Sequence, residues 1–211
     1  MVTIKELESR VGGLSAPSKI PGFSYGIPAT KCKVGSILRK RSGSVCSKCY
    51  AHKGFYAYAN PQKAQARRIA IMQADLPAWT TNMVALLSRK YEKREKVFRW
   101  HDSGDLQGRA HLSAIVAIAD ALPDFKFWLP SKERALIRQW IRAHRRFPPN
   151  LTVRVSAPML GRKAIPIPGT VSSTVGAKVG YRCPAPEQGG KCGDCRACWK
   201  RSVKSIDYAP H

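Results

Sequence analysis

Along the middle of the chain, the spacing of apolar positions alternates between that of β-strands and that of α-helices. Three β-rich runs stand out, KVFRWHDSGDL (96–106), FKFWLP (125–130) and LTVRVSAPML (151–160). The stretches between them, 108–122 and 132–146, have the apolar spacing of helices. Strands that alternate with helices are typical of parallel sheets. We therefore predict an α/β fold, either a parallel sheet or a partial (β/α) barrel, with its chemistry at the carboxyl ends of the strands.

The flanking segments are less regular. Residues 11–31 are rich in Gly, Pro and Ser and show no period, which predicts an irregular ordered arm. A helix is expected to follow, with Asn60 as its N-cap and Pro61 at the first helical position. A second helix is expected over 78–95, and one more strand within IPIPGTVSSTVG (165–176).

Length and composition predict a single domain over residues 1–211. We divide it into an arm with the first cysteines (1–59), a β/α core (60–180) and a cysteine-rich end (181–211), with the tail from Arg201 exposed. No segment approaches the roughly 18 uninterrupted apolar residues of a membrane span, and the N-terminus lacks the apolar core of a secretory signal. A cytoplasmic location is expected.

The charge is strongly positive and unevenly placed. Lys and Arg number 37 against 13 Asp and Glu, a formal net charge of +24. No acid occurs between Glu8 and Asp75, an interval with twelve Lys and Arg, and a second acid-free interval runs from Arg134 to Arg182. A polyanion, most simply DNA, is the expected partner. A merely solvated basic surface, or a phosphorylated small substrate, is the alternative.

One predicted helix carries a basic stripe. Arg134, Arg138 and Arg142 recur every four residues beside apolar positions, and the same spacing reaches Arg146. Such a stripe can neutralise several phosphates, although it can also be a solvated face. The predicted nucleic-acid-binding residues are Arg134, Arg138, Arg142, Arg145, Arg146, Arg39, Lys40 and Arg41.

The seven cysteines form two groups. The first group is Cys32, Cys46 and Cys49, and the second is Cys183, Cys192, Cys195 and Cys198. Four thiolates can complete the coordination of a [4Fe–4S] cluster, whereas three leave one iron open. A four-cysteine zinc site is the alternative for the second group, and the two groups could also meet in one site. A thioredoxin-like dithiol is disfavoured because no strand precedes the C-x-x-C pair.

Other polar and aromatic residues add candidate chemistry. His101, Asp102 and Asp105 follow a predicted strand, where α/β proteins place their active sites, although Asp105 can instead cap the next helix. Several aromatic residues lie close in sequence to lysines before and after the first cysteines, namely Phe23, Tyr25, Phe55, Tyr56 and Tyr58. Such aromatics predict a hydrophobic shell around a cluster, with base stacking as the alternative.

Several motifs carry a resemblance to a known family. They are KIPGFSYGIPATKC (19–32), GSVCSKCYAHKGFY (43–56), FRWHDSGDL (98–106), FKFWLPSKE (125–133) and NLTVRVSAP (150–158), followed by the cysteine-rich end. Over residues 19–198 the chain resembles bacteriophage proteins of the gene product 88 type. The resemblance implies a phage origin and a setting in the cytoplasm of the infected cell.

More distantly, the layout is similar to radical S-adenosylmethionine enzymes, with three early cysteines, strand–helix repeats and an extra cysteine group for an auxiliary cluster. That similarity implies that an open iron binds S-adenosylmethionine and that HDSGDL replaces a Gly-Gly-Glu-type strand end. The compact C-x3-C-x2-C spacing of those enzymes is absent here.

Three functional hypotheses follow. The first is an iron–sulfur protein that binds nucleic acid, and the second is a radical S-adenosylmethionine-type enzyme acting on nucleic acid or a nucleotide. The third is a zinc-stabilised nucleic-acid-binding protein.

Overall fold

The computed structural model describes residues 2–210 and is organised around one sheet. Its strands are β1 (Phe23–Tyr25), β2 (Val97–Trp100), β3 (Lys126–Ser131), β4 (Leu151–Ser156), β5 (Val171–Val175), β6 (Tyr181–Arg182) and β7 (Ser205–Tyr208). They pair in the order β1-β2-β3-β4-β5-β7-β6, and every pairing is parallel. The predicted α/β fold with a parallel sheet is confirmed.

The helices cover one face of this sheet. They are α1 (Ile4–Val11), α2 (Lys33–Arg39), α3 (Ala59–Ala74), α4 (Leu76–Lys90), α5 (Arg109–Ala121) and α6 (Arg134–His144). All of these except α2 contribute residues to the larger apolar core, which also contains Phe98 and Trp100 of β2. No helix within residues 2–210 is both long and apolar enough to cross a bilayer.

The opposite face of the sheet packs against the cysteine-rich end. Because side chains alternate along a strand, Val97 and Trp128 point away from the helices, and they form a second cluster with Cys198, Trp199 and Ile206. The Trp199 indole N–H donates to the Phe98 carbonyl at 2.9 Å. This contact fixes the segment between β6 and β7 on the sheet.

Strands β1, β6 and β7 lie where no strand was predicted. β1 falls inside the irregular arm, where its pairing with β2 and the buried Tyr25 hold it. The Tyr25 hydroxyl donates to the Val11 carbonyl at 2.8 Å. The prediction of an exposed tail was wrong, because β7 pairs with β5 and β6 and its Ile206 is 1% exposed.

Helix boundaries also differ from the predictions. The N-cap of α3 is Tyr58, so the assignment of Asn60 to that position was wrong. α4 begins earlier than expected because an Asp75 carboxylate oxygen accepts the Ala78 N–H at 2.9 Å, which is the usual action of an N-cap aspartate. It also ends at Lys90, before the predicted limit at residue 95.

Candidate functional site

The first cysteine group follows the carboxyl end of β1. Cys32 is the N-cap of α2, and Cys46 and Cys49 belong to a short 3-10 turn and its end. A Cβ added to Gly35 would lie 3.5 Å from the sulfur of Cys32 and 3.8 Å from that of Cys46. The first turn of α2 therefore brings two sulfurs to one point, and Gly35 leaves that point open.

Burial and neighbouring negative charge disfavour the thiolate forms of Cys32 and Cys46. Burial, Asp105 and the other two thiols together raise the pKa of Cys32 to about 12. Burial also raises the pKa of Cys46, although the positive charge of Lys132 opposes the shift. Thiols at these positions are neutral unless a bound cation stabilises their ionised form.

The loop that carries Cys46 is fixed to the carboxyl end of β4. Ser44 forms an isolated antiparallel bridge with Met159, and the Val45 N–H donates to the Pro158 carbonyl at 2.9 Å. The Ser44 hydroxyl oxygen accepts the Ser47 N–H at 3.0 Å. These bonds hold the turn around Cys46 in place.

Asp105 joins the loops that follow β2 and β3. One of its carboxylate oxygens accepts the Leu106 N–H at 2.8 Å and the Ser131 hydroxyl at 2.7 Å. The other accepts the Lys132 N–H at 2.8 Å. Burial raises the pKa of Asp105, and these hydrogen bonds oppose the rise. Both oxygens are occupied, so Asp105 positions the site, and the N-cap of α5 is Gly108 instead.

His101 and Asp102 directly follow β2, and both carry buried polar atoms that have no hydrogen-bond partner among the described residues. Tyr56 donates to one carboxylate oxygen of Asp102 at 2.9 Å, and Tyr50 donates to the Asp102 carbonyl at 2.5 Å. The second Asp102 carboxylate oxygen, both His101 ring nitrogens and the Ser103 hydroxyl are buried without a hydrogen bond among the described residues. Burial, followed by His111 and Arg99, lowers the His101 pKa well below its usual value. Most buried polar groups have a hydrogen-bond partner, so the four unpaired atoms in this loop call for an explanation.

The second cysteine group lies against β6 and β7. The Tyr208 hydroxyl is 3.2 Å from the Cys198 sulfur, and the Tyr181 hydroxyl is 3.5 Å from the Cys195 sulfur. Burial raises the pKa of Cys198 to about 11, although the Tyr208 hydroxyl and two arginines oppose the rise. The remaining two thiols, Cys183 and Cys192, also have raised pKa values, with burial as the largest cause and Cys195 among the others.

Two arginines from the middle strands approach this second group. Arg154 is fully buried, and its guanidinium donates only to backbone carbonyls, including that of Cys198. Arg99 donates to the Tyr50 hydroxyl at 3.1 Å, and its guanidinium carbon lies 4.5 Å from the centre of the Trp128 ring. None of the ion pairs within residues 2–210 includes either arginine. Neither arginine was among the predicted site residues.

The structure gives no ready single-ion site. Over the described range, no group of three or more His, Cys, Asp or Glu side chains is arranged to hold a metal ion. The seven cysteines are all free of disulfides. Their surroundings nevertheless separate them into the two groups that the sequence spacing suggests.

The predicted basic residues do not form one continuous stripe. Arg138 and Arg142 are exposed on α6, whereas Arg134 is partly buried and donates to the Ile165 carbonyl at 2.8 Å. α6 ends at His144, so Arg145 and Arg146 lie beyond it, because Arg145 adopts a φ of 64°. At the end of α2, the residues Arg39, Lys40 and Arg41 are exposed.

Comparison with known proteins places the chain in a family. Neither the curated proteins nor the solved structures contain a match. The family model described as "Gene product 88" matches residues 3–201, a range that includes all seven cysteines and β1 to β6. The chain therefore belongs to the Gene product 88 family of bacteriophage proteins.

Proposed function

We propose that this phage protein is an iron–sulfur protein with a cluster at each cysteine group, and that its basic surface binds nucleic acid. The observation that carries the proposal is the pair of arginines, Arg99 and Arg154, beside the second cysteine group. Arg154 is buried without a carboxylate partner, and an uncompensated buried charge is costly.

Metal-bound thiolates supply the missing negative charge. Four thiolates around a dipositive cluster core leave a net charge of about −2, which two guanidinium groups can balance. The hydroxyls of Tyr181 and Tyr208 are placed to donate to the sulfurs of Cys195 and Cys198. Hydrogen bonds to ligand sulfur are a recognised means of tuning such a cluster. The donor set therefore fits a cluster at the second group.

The first group fits a cluster with one open position. It contains three thiols near the carboxyl end of a parallel sheet, which is where α/β proteins assemble reactive sites. No fourth cysteine belongs to this group in the sequence. The fourth corner is therefore left for another ligand.

Metal analysis tests the proposal directly. The protein should be purified anaerobically and its iron, acid-labile sulfide and zinc measured, together with its visible absorption. We expect iron and sulfide in equal amounts and a broad thiolate-to-iron absorption. Zinc alone at full occupancy would contradict the cluster proposal.

Nucleic-acid binding is proposed from the net charge of +24 and from exposed cationic residues on α2 and α6. Affinity for DNA should fall steeply between about 50 and about 200 mM salt, because each neutralised phosphate releases counterions. Replacing Arg138 and Arg142 with alanine should weaken binding and reduce the salt slope by about one for each phosphate that is no longer neutralised. The measurement is fluorescence anisotropy over a salt series.

Arg182→Ala is the matched control, since the guanidinium of this exposed arginine is already paired with Glu187 at 3.2 Å. Its affinity and slope should stay close to those of the parent. A salt-independent affinity of the parent protein would refute the nucleic-acid proposal.

A second candidate function is a radical S-adenosylmethionine-type enzyme. The observation that favours it is the position of the unpartnered His101 and Asp102 atoms, in the loop adjacent to the three-cysteine group. When bound, S-adenosylmethionine supplies radical chemistry to enzymes of this type. Here Cys32, Cys46 and Cys49 would hold its cluster, and Asp102 would accept a hydrogen bond from its amino group.

Reduction of the protein in the presence of S-adenosylmethionine should then yield 5′-deoxyadenosine, measured by chromatography. Cys46→Ser should abolish the product, because one of the three ligands is removed. An intact cluster that never cleaves the cofactor would eliminate this candidate and leave the first proposal in place.

A further inference from the structure

We propose that Phe55 and Tyr58 form a stacking platform for unpaired nucleobases, so that this surface binds single-stranded nucleic acid. The inference rests on the proposed nucleic-acid function and specifies the form of its ligand. It concerns the segment between Cys49 and α3.

The two rings are conspicuously exposed. Phe55 is 71% exposed and Tyr58 is 65% exposed. Their centroids are 6.0 Å apart and their planes meet at 74°, so they form an edge-to-face pair that leaves most of each ring exposed. Burial of aromatic rings stabilises a folded chain, and these two rings do not contribute in that way. Exposed apolar groups of this kind often mark interaction sites.

Two other tyrosines of the same segment, the half-buried Tyr56 and the 37% exposed Tyr50, form hydrogen bonds toward the sheet. Tyr56 and Tyr50 donate their hydroxyls to Asp102, at the end of β2. Their ring centroids are 5.5 Å apart. The backbone that carries Phe55 and Tyr58 is therefore attached to the sheet at two points, which keeps the exposed rings in place without a ligand.

The positive charge of the lysines near the two rings favours an anionic partner. Lys48, Lys53 and Lys63 are exposed in the same part of the chain, and no acid lies between Glu8 and Asp75. A purely apolar partner would gain no binding energy from these lysines. A nucleic-acid strand matches both features, since its phosphates meet the lysines and its bases meet the rings.

The form of the nucleic acid follows from the geometry of stacking. In a duplex the faces of the bases are covered by their neighbours, and only edges and backbone are accessible. An aromatic ring can take up a base face only where the base is unpaired or displaced. The platform should therefore distinguish a single strand from a duplex, whereas the arginines of α6 should not.

The experiment compares the full-length parent protein with Phe55→Ala, Tyr58→Ala and the double variant. Anisotropy is measured with a labelled oligothymidine of about 12 nucleotides and with a duplex of the same length. Each ring removed should weaken binding to the single strand about tenfold and leave duplex binding within about twofold. The salt slope should be unchanged, because no cation has been removed.

Two controls separate stacking from general stickiness. Ile37→Ala removes an apolar side chain that is 72% exposed on α2 and should leave single-strand affinity unchanged. Phe55→Leu keeps an apolar side chain without an aromatic face and should bind as weakly as Phe55→Ala. Thermal unfolding of all variants should match the parent, since the rings are exposed.

The inference is overturned if the double variant binds the single strand as tightly as the parent, or if Phe55→Leu restores full affinity. Loss of both single-strand and duplex binding in the double variant would overturn it too, because the rings would then serve binding in general. If the parent bound neither nucleic acid, the proposed nucleic-acid function would fall along with the platform. If the parent bound duplex and the double variant bound the single strand as tightly as the parent, the platform would be refuted and the proposed nucleic-acid function would stand.

Discussion

Replacing Cys46 with serine should remove about half of the iron and sulfide and leave the other half in place. The reason is that Cys46 shares its surroundings with Cys32 and not with the cysteines packed near Trp199. Cys195→Ser should remove the complementary half, and the double variant should contain neither cluster. Iron and sulfide analysis, with the visible spectrum of each variant, provides the measurement.

Ser42→Ala is the control, because Ser42 is exposed in the loop that carries Cys46 and belongs to neither group. It should retain all of the iron. If either cysteine variant lost all of its iron while remaining folded by circular dichroism, the two groups would have to form one shared site. Full retention of iron in Cys46→Ser would remove the first group from the proposal.

The buried Arg154 should be the most sensitive single position for stability outside the cysteines. Its guanidinium donates to five backbone carbonyls, those of Ser172, Val203, Ala197, Cys198 and Lys200, at 2.8–3.5 Å. Arg154→Ala would leave buried acceptors unpaired and open a cavity on the sheet. We expect a loss of about 3–5 kcal/mol in the free energy of unfolding, measured by urea titration under anaerobic conditions.

Arg138→Ala is the matched control, an arginine-to-alanine change at an exposed helical position, and it should shift stability by less than about 0.5 kcal/mol. Arg154→Lys should recover only part of the loss, because an ammonium group keeps the charge without the planar fork that reaches several carbonyls. Equal stability of Arg154→Ala and Arg138→Ala would contradict this account. Iron lost from Arg154→Ala should come from the second group alone.

The strands of the central sheet were predictable where a clear period was bounded by helices. β2 and β4 lie within the predicted β-rich runs, β3 extends one residue beyond its run to Ser131, and α5 and α6 lie within the predicted helices. β1, β6 and β7 were not predicted because they are short and lie in the irregular arm and the cysteine-rich end, where no apolar period marks a strand. Short strands owe their conformation to pairing with neighbours, a tertiary effect that no local pattern records.

The grouping of the cysteines could be predicted from the sequence, but most of the residues around them could not. The spacing separated the same two groups that the structure separates, but it gave no indication that tyrosines would anchor the first group to Asp102. A signal for the arginines did exist, since Arg99 and Arg154 each interrupt an apolar strand. The expectation that Phe55 and Tyr58 belong to a hydrophobic shell was wrong, because the 3-10 turn and helix start that carry them point these rings outward.

The position of β7 between β5 and β6 sets an order of assembly. β6 precedes β7 in the chain but pairs only with it, at Tyr181 with Ile206 and Arg182 with Asp207. During synthesis, β6 must therefore wait until β7 has left the ribosome and joined β5. The four cysteines between these strands also precede β7 in the chain, whereas β1 to β4 and the first three cysteines are made earlier still. If both groups bind clusters as proposed, the amino-terminal group can be complete before the sheet around the carboxyl-terminal group has formed.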